Sequence, residues 1–129
     1  MKKVLFICVQ NSARSQIAEG FGRHLKGDQM EFASAGSQPS GKVHPMAVKV
    51  MAEIGIDIST HKSQSIDEFP PETVDRYIAL CAEESCPAVG KPIESWALPD
   101  PANREETEEE TLQRFRNTRD TIKEMVEQL

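Results

Sequence analysis

Cys8 and Arg14 stand with five residues between them in Lys3-Val-Leu-Phe-Ile-Cys-Val-Gln-Asn-Ser-Ala-Arg-Ser15, where an apolar run gives way to a helical pattern. A loop of that length can wrap a tetrahedral oxyanion. Backbone amides at a helix start point into such a loop, and the helix dipole favours negative charge there. The arginine adds a planar fork of donors that grips two oxyanion oxygens at once. The same positive field favours the thiolate form of Cys8, so a nucleophile faces the bound anion. Cysteine is often inert core, and the spacing alone recurs by chance. Here, however, Cys8 ends the run Val4, Leu5, Phe6, Ile7 instead of sitting inside it. Asn11 and Ser12 are turn and cap residues that suit entry into a helix.

Two further segments carry chemistry. Leu80-Cys-Ala-Glu-Glu-Ser-Cys-Pro87 holds Cys81 and Cys86, the other two of the three cysteines. One buried cysteine and an exposed bystander is the bland interpretation. Zinc would need further ligands, and neither His24, His44 nor His61 lies beside the pair. The third possibility is redox: a cysteine brought to Cys8 could attack it, and a second could take over the disulfide by exchange. Glu83, Glu84 and Ser85 suggest an exposed loop in which the sulfurs can approach each other. Asp100, in Ala97-Leu-Pro-Asp-Pro-Ala102, is held between prolines that stiffen the backbone. It is either a turn aspartate or a general acid that protonates a leaving oxygen. Trp96 is expected in the core or at its rim, with no chemical role.

The elements that must position these residues alternate along the chain. Lys3–Val9, Met30–Ala35, Arg76–Leu80 and Ile93–Leu98 read as strands. Ser15–Leu25 reads as a helix with Ile17, Ala18, Phe21 and Leu25 on one face. Pro45 opens a second helix to about Ile54, with Gly55 as its stop, and Ser65–Phe69 is a short helical turn. The last helix runs from about Glu105 to Gln128, its apolar stripe formed by Leu112, Phe115, Ile122, Val126 and Leu129, its acidic start complementing the dipole. The pattern predicts an α/β fold, a four-stranded parallel sheet flanked by helices on both faces. Loops after parallel strands emerge at one edge, where ligands bind. Cys8–Arg14, Cys81 with Cys86, and Asp100 should therefore converge.

Composition narrows the function. A chain of 129 residues reads as one domain spanning 1–129. No apolar run approaches the ~20 residues that cross a membrane. The start Met-Lys-Lys-Val-Leu-Phe-Ile reads as a first strand, too short and too close to the Cys8 motif for a cleaved leader. The net charge of −6 argues against nucleic acid or an anionic membrane as partner. An odd cysteine count does not suit a static disulfide framework and fits a cytoplasmic, redox-active chain.

The chain resembles the low-molecular-weight tyrosine phosphatase superfamily and, within it, the thioredoxin-coupled arsenate reductases. The likeness runs through Cys8-Val-Gln-Asn-Ser-Ala-Arg-Ser-Gln-Ile-Ala-Glu19, Ser34-Ala-Gly36, Val43-His-Pro45, Gly55-Ile-Asp-Ile-Ser59, the cysteine pair before Pro87, and Trp96-Ala-Leu-Pro-Asp-Pro-Ala102. The phosphatases share the Cys-to-Arg loop. The cysteine pair points to the reductases, as does Ala102, where the phosphatases usually carry an aromatic residue. The resemblance implies that Cys8 attacks arsenate held by the loop amides, Ser12 and Arg14. It implies that Ser15 hydrogen-bonds the Cys8 thiolate, Asn11 holds the loop's shape and Asp100 protonates the departing oxygen. Cys81 would then attack Cys8 and release arsenite. Cys86 would attack Cys81, and thioredoxin would reduce the Cys81–Cys86 disulfide. No bound cofactor is implied, and the chain is expected to act as a monomer. Some members bind potassium near the loop through a Glu, a Ser, a Thr and an Asp. Glu19 and Ser34 match, but Lys62 and Gln64 stand at the other two positions, so no metal site is expected and Lys62 could supply the missing charge. The alternatives are a phosphatase acting on phosphotyrosine or a small phosphate ester, and a non-catalytic redox-sensing protein.

Overall fold

A continuous apolar run marks a strand buried on both faces, and Val4, Leu5, Phe6 and Ile7 are each 0% exposed. They form the centre of β1 (Lys2–Cys8), one of four strands in the computed structural model, which describes residues 2–81, 92–99, 101 and 107–129. β2 (Met30–Gly36), β3 (Arg76–Cys81) and β4 (Ile93–Leu98) complete a parallel sheet in the order β2-β1-β3-β4. The register aligns Cys8 with Gly36 and Ile7 with Ala79, so the strands end together at one edge. Cys81, after a register shift, pairs with Leu98 on β4.

Alternate residues of the sheet feed two cores. Val4, Phe6, Phe32, Ile78 and Leu80 pack with α1 (Arg14–Lys26), α2 (Pro45–Ala52) and α3 (Glu108–Glu127). Leu5, Ile7, Ala33, Ala35, Tyr77 and Ala79 pack with Ile66, Phe69 and Ile93. Both faces are covered as expected, but unequally. The three α-helices share one core, while two 3-10 turns, Ile66–Glu68 and Pro71–Thr73, flank the other side among the described residues. The second turn was not foreseen. Each fully buried Leu, Ile or Phe contributes about 1.5–3 kcal/mol. Trp96 lies at the core rim against Phe6, ring centroids 5.7 Å apart.

The helix ends follow local chemistry. Past α2, Gly55 at φ +84° lets its own N–H reach the Ala52 carbonyl and Ile56 N–H reach that of Met51, closing the helix with a left-handed turn. Thr107 and Glu110 form a reciprocal capping box that starts α3. α1 differs. Asn11 and Ser12 were expected to suit its cap, yet the N-cap is Ala13, with no side-chain cap bond. An N-cap without a side-chain acceptor suits an anion-binding helix start. Among the described residues no helix is long and apolar enough to cross a membrane.

Candidate active site

Cys8 closes β1 and is 3% exposed, its sulfur turned into the loop that leads to α1. The Asn11 backbone N–H donates to Cys8 Sγ at 3.2 Å, and Ser15 Oγ lies 2.9 Å from the same sulfur. Asn11 reaches its position at φ +51°, a left-handed conformation that asparagine tolerates better than most residues. That bend turns the chain back over the sulfur. Gly36 permits it: a Cβ there would lie 2.3 Å from the Val9 carbonyl oxygen and 3.1 Å from the Asn11 Cβ. The loop backbone also accepts hydrogen bonds from Ser37, Gln38, Ser40 and His44, the last reaching the Ser12 carbonyl at 2.8 Å. Ser12 itself is half-buried.

The hydrogen bonds at the sulfur have a direction. Asn11 Oδ1 accepts from the Gln64 backbone N–H at 2.9 Å, so the other end of the amide is the donor. Asn11 Nδ2 donates to Ser15 Oγ at 2.8 Å. The serine hydroxyl hydrogen is then free to point at Cys8 Sγ. A thiolate at Cys8 would thus receive two donors, one from the Asn11 backbone and one from Ser15. Hydrogen bonds to a charged acceptor are roughly twice as strong as neutral ones.

Arg14, 6% exposed, stands at the first position of α1. Its Nη1 donates to the Leu98 carbonyl at 2.7 Å and approaches that of Leu80 at 3.4 Å. One arm of the guanidinium therefore bridges the ends of β3 and β4. The arginine lies at the edge where Cys8 ends its strand, as the alternating pattern predicted. Cys81 ends β3 at this edge, directly after Leu80. Cys86 and Asp100 lie outside the described residues.

Beneath the loop, α1 buries polar residues that sequence periodicity did not single out. Gln16 is fully buried, and Glu19 is 3% exposed. Ser34 Oγ donates to Glu19 Oε1 at 2.6 Å, Arg23 Nε lies 3.1 Å from Glu19 Oε2, and His61 Nδ1 lies 3.6 Å from that oxygen. Burial holds the His61 imidazole below its ordinary range, against the opposing pull of Glu19. The cation facing Glu19 is Arg23, not Lys62, which is exposed and contributes its backbone carbonyl to Gln16. The pairing of Arg23 with Glu19 at i,i+4 was readable from the helix; His61 joins from a segment remote in sequence.

A buried cysteine under inward-facing donors, in the loop that leads to a helix without a side-chain cap and to an arginine at its first position, fits a tetrahedral oxyanion and its attack by sulfur. The family model for low molecular weight phosphotyrosine protein phosphatase matches residues 3–129. The chain belongs to that family. An arsenate reductase of Halalkalibacterium halodurans is 44% identical over 125 residues, 94% of this chain and 89% of that one. The structure of an arsenate reductase in the phosphate binding state aligns with a TM-score of 0.82 at 38% identity, over 99% of this chain and 95% of the other. A thioredoxin-dependent arsenate reductase of Corynebacterium glutamicum aligns at 0.68 and 27% identity, over 99% of this chain and 63% of that one. For this family member, Cys8, Asn11, Arg14 and Ser15 thus stand together around one loop.

Proposed function

We propose that this protein reduces arsenate to arsenite through a three-cysteine relay recharged by thioredoxin. The observation that carries the reading is the Cys8 sulfur facing the Asn11 amide and the Ser15 hydroxyl, with Arg14 at the same sheet edge, in a chain 44% identical to an arsenate reductase. Cys8 attacks arsenic(V), and an arsenic–oxygen bond breaks as Asp100 protonates the departing oxygen. Arg14 and the loop amides hold the remaining oxygens. Cys81 then attacks the Cys8 sulfur, and the sulfur–arsenic bond breaks with its electron pair on arsenic. Arsenite leaves as arsenic(III), and two thiols have become the Cys8–Cys81 disulfide. Cys86 attacks Cys81, which frees the Cys8 thiolate and leaves a Cys81–Cys86 disulfide. Thioredoxin returns both electrons, so the step needs no flavin, nicotinamide or metal in this chain.

Thioredoxin as donor is supported by the Corynebacterium glutamicum relative, a thioredoxin-dependent arsenate reductase. Phosphate and arsenate are close in size and charge, so the same loop also suits phosphate-ester hydrolysis, the activity in the family's description. The cysteine pair at Cys81 and Cys86 favours reduction, since ester hydrolysis uses neither. Arsenate turnover with thioredoxin, thioredoxin reductase and NADPH, run beside a phosphate-ester assay, decides between them. Arsenate-dependent NADPH loss is the expected result. Ester hydrolysis without it would make the protein a phosphatase, and neither activity would overturn both readings.

A further inference from the structure

Gln16 has no contact with Cys8 among its hydrogen bonds, yet every polar atom of its side chain is engaged beneath the loop. Its Nε2 lies 3.1 Å from the Asn11 carbonyl, 3.0 Å from Asn11 Oδ1 and 2.9 Å from the Lys62 carbonyl. All three are acceptors, so this end of the amide must be the NH2 group. Oε1 then faces His61 Nδ1 at 3.1 Å, and that nitrogen must carry a hydrogen. The same hydrogen faces the Glu19 carboxylate, which favours this tautomer.

We propose that Gln16, oriented by His61, is a positioning residue that fixes the direction of the hydrogen bonds reaching the Cys8 sulfur. The chain of constraints is unbroken. His61 N–H fixes Gln16 Oε1 as acceptor, and Gln16 Nε2 joins the Gln64 N–H in fixing Asn11 Oδ1 as acceptor. Asn11 Nδ2 is therefore the donor to Ser15, whose hydroxyl is turned to the sulfur. Nε2 also holds the Asn11 carbonyl, and with it the left-handed backbone that aims the Asn11 N–H at Cys8. Loss of Gln16 leaves the buried Asn11 carbonyl and Oδ1 and the part-buried Lys62 carbonyl without this donor, and leaves the Gln64 N–H alone to hold the Asn11 amide in place. The inference rests on Cys8 being the nucleophile of the proposed reaction.

The test is the rate at which iodoacetamide alkylates Cys8 in the full chain, followed by mass spectrometry of its peptide. It needs no arsenate, so it stands apart from the assay of reduction. Gln16→Met keeps the length of the side chain and removes its amide. We expect Cys8 alkylation to slow by about tenfold or more, the scale of a misdirected hydrogen bond to a charged sulfur. In the arsenate assay kcat should fall with it. His61→Phe, altered at the rim of the network, should slow alkylation likewise. His61→Asn should restore it, because its Nδ2 falls near the place of the imidazole Nδ1. If Gln16 acts through Asn11, the double variant Gln16→Met, Asn11→Ala should be no slower than Asn11→Ala alone. A folded Gln16→Met or His61→Phe that alkylates within twofold of the wild-type rate would overturn the inference. So would a double variant whose loss is the product of the single losses, which would make Gln16 a packing residue only. Absence of arsenate reduction in the wild-type chain, with these alkylation effects intact, would instead sink the functional reading.

Discussion

At the scale of single residues, the proposed reaction begins at the Cys8 sulfur. Ser15 Oγ, 2.9 Å from Cys8 Sγ, supplies one of its two donors, and Ser15→Ala removes that donor while changing almost no volume. Turnover should fall by about 10–100-fold with the melting temperature little changed, because a hydrogen bond to a charged group is worth about 1.5–3 kcal/mol. Steady-state kinetics beside thermal unfolding separates the two effects. Asp100→Asn should slow arsenate turnover by about 10²–10⁴-fold with the fold intact, if Asp100 is the general acid. A normal rate would make it a turn residue. Cys8, Asn11, Arg14 and Ser15 were legible because their roles depend on neighbours within one loop and one helical turn. Gln16 and His61 were not, because they meet each other across 45 positions and Gln16 meets Lys62 across 46, and no local pattern joins them.

Elements were readable where a hydrophobic period or a stop signal marked them. The run Val4–Ile7, the stripe Leu112, Phe115, Ile122 and Val126, and Gly55 past α2 all performed as their chemistry implied. The start of α1 was read one step wrongly. Asn11 looks like a cap in sequence, but its side chain is drawn to Ser15 and Gln64, and the helix begins uncapped at Arg14. On the polar face of α1, Glu19 was marked only by the family resemblance, and Gln16 was illegible, since it resembles a solvent-facing residue until the segment carrying His61 covers it. Gly36 tests the fit between β2 and the loop. Gly36→Ala forces a Cβ against the Val9 carbonyl, so unfolding in urea should show a loss of about 1–3 kcal/mol, together with a drop in turnover. Thr107→Ala is the contrasting case. It removes a cap of α3, should lower stability by about 1 kcal/mol in the same experiment, and should leave turnover unchanged.

For the whole molecule, the parallel order β2-β1-β3-β4 explains how distant chemistry meets. Cys8 ends the second strand across and Cys81 the third, and Arg14 reaches the carbonyls of Leu80 on the third and Leu98 on the fourth. Alternation of strands and helices made that edge readable before any coordinate, because right-handed crossovers leave the strands no other common exit. The unequal cover of the two faces was beyond it, since no period tells which side of a sheet a helix will choose. The proposed relay depends on that edge, and one measurement reaches it most directly. Reduced Cys86→Ser is mixed with arsenate for a single turnover, quenched with a thiol-blocking reagent, and its disulfides are mapped by mass spectrometry as arsenite is counted. One arsenite per chain with a Cys8–Cys81 disulfide is the predicted result. Arsenite released without that bond, or sustained turnover of Cys86→Ser with thioredoxin, would contradict the relay.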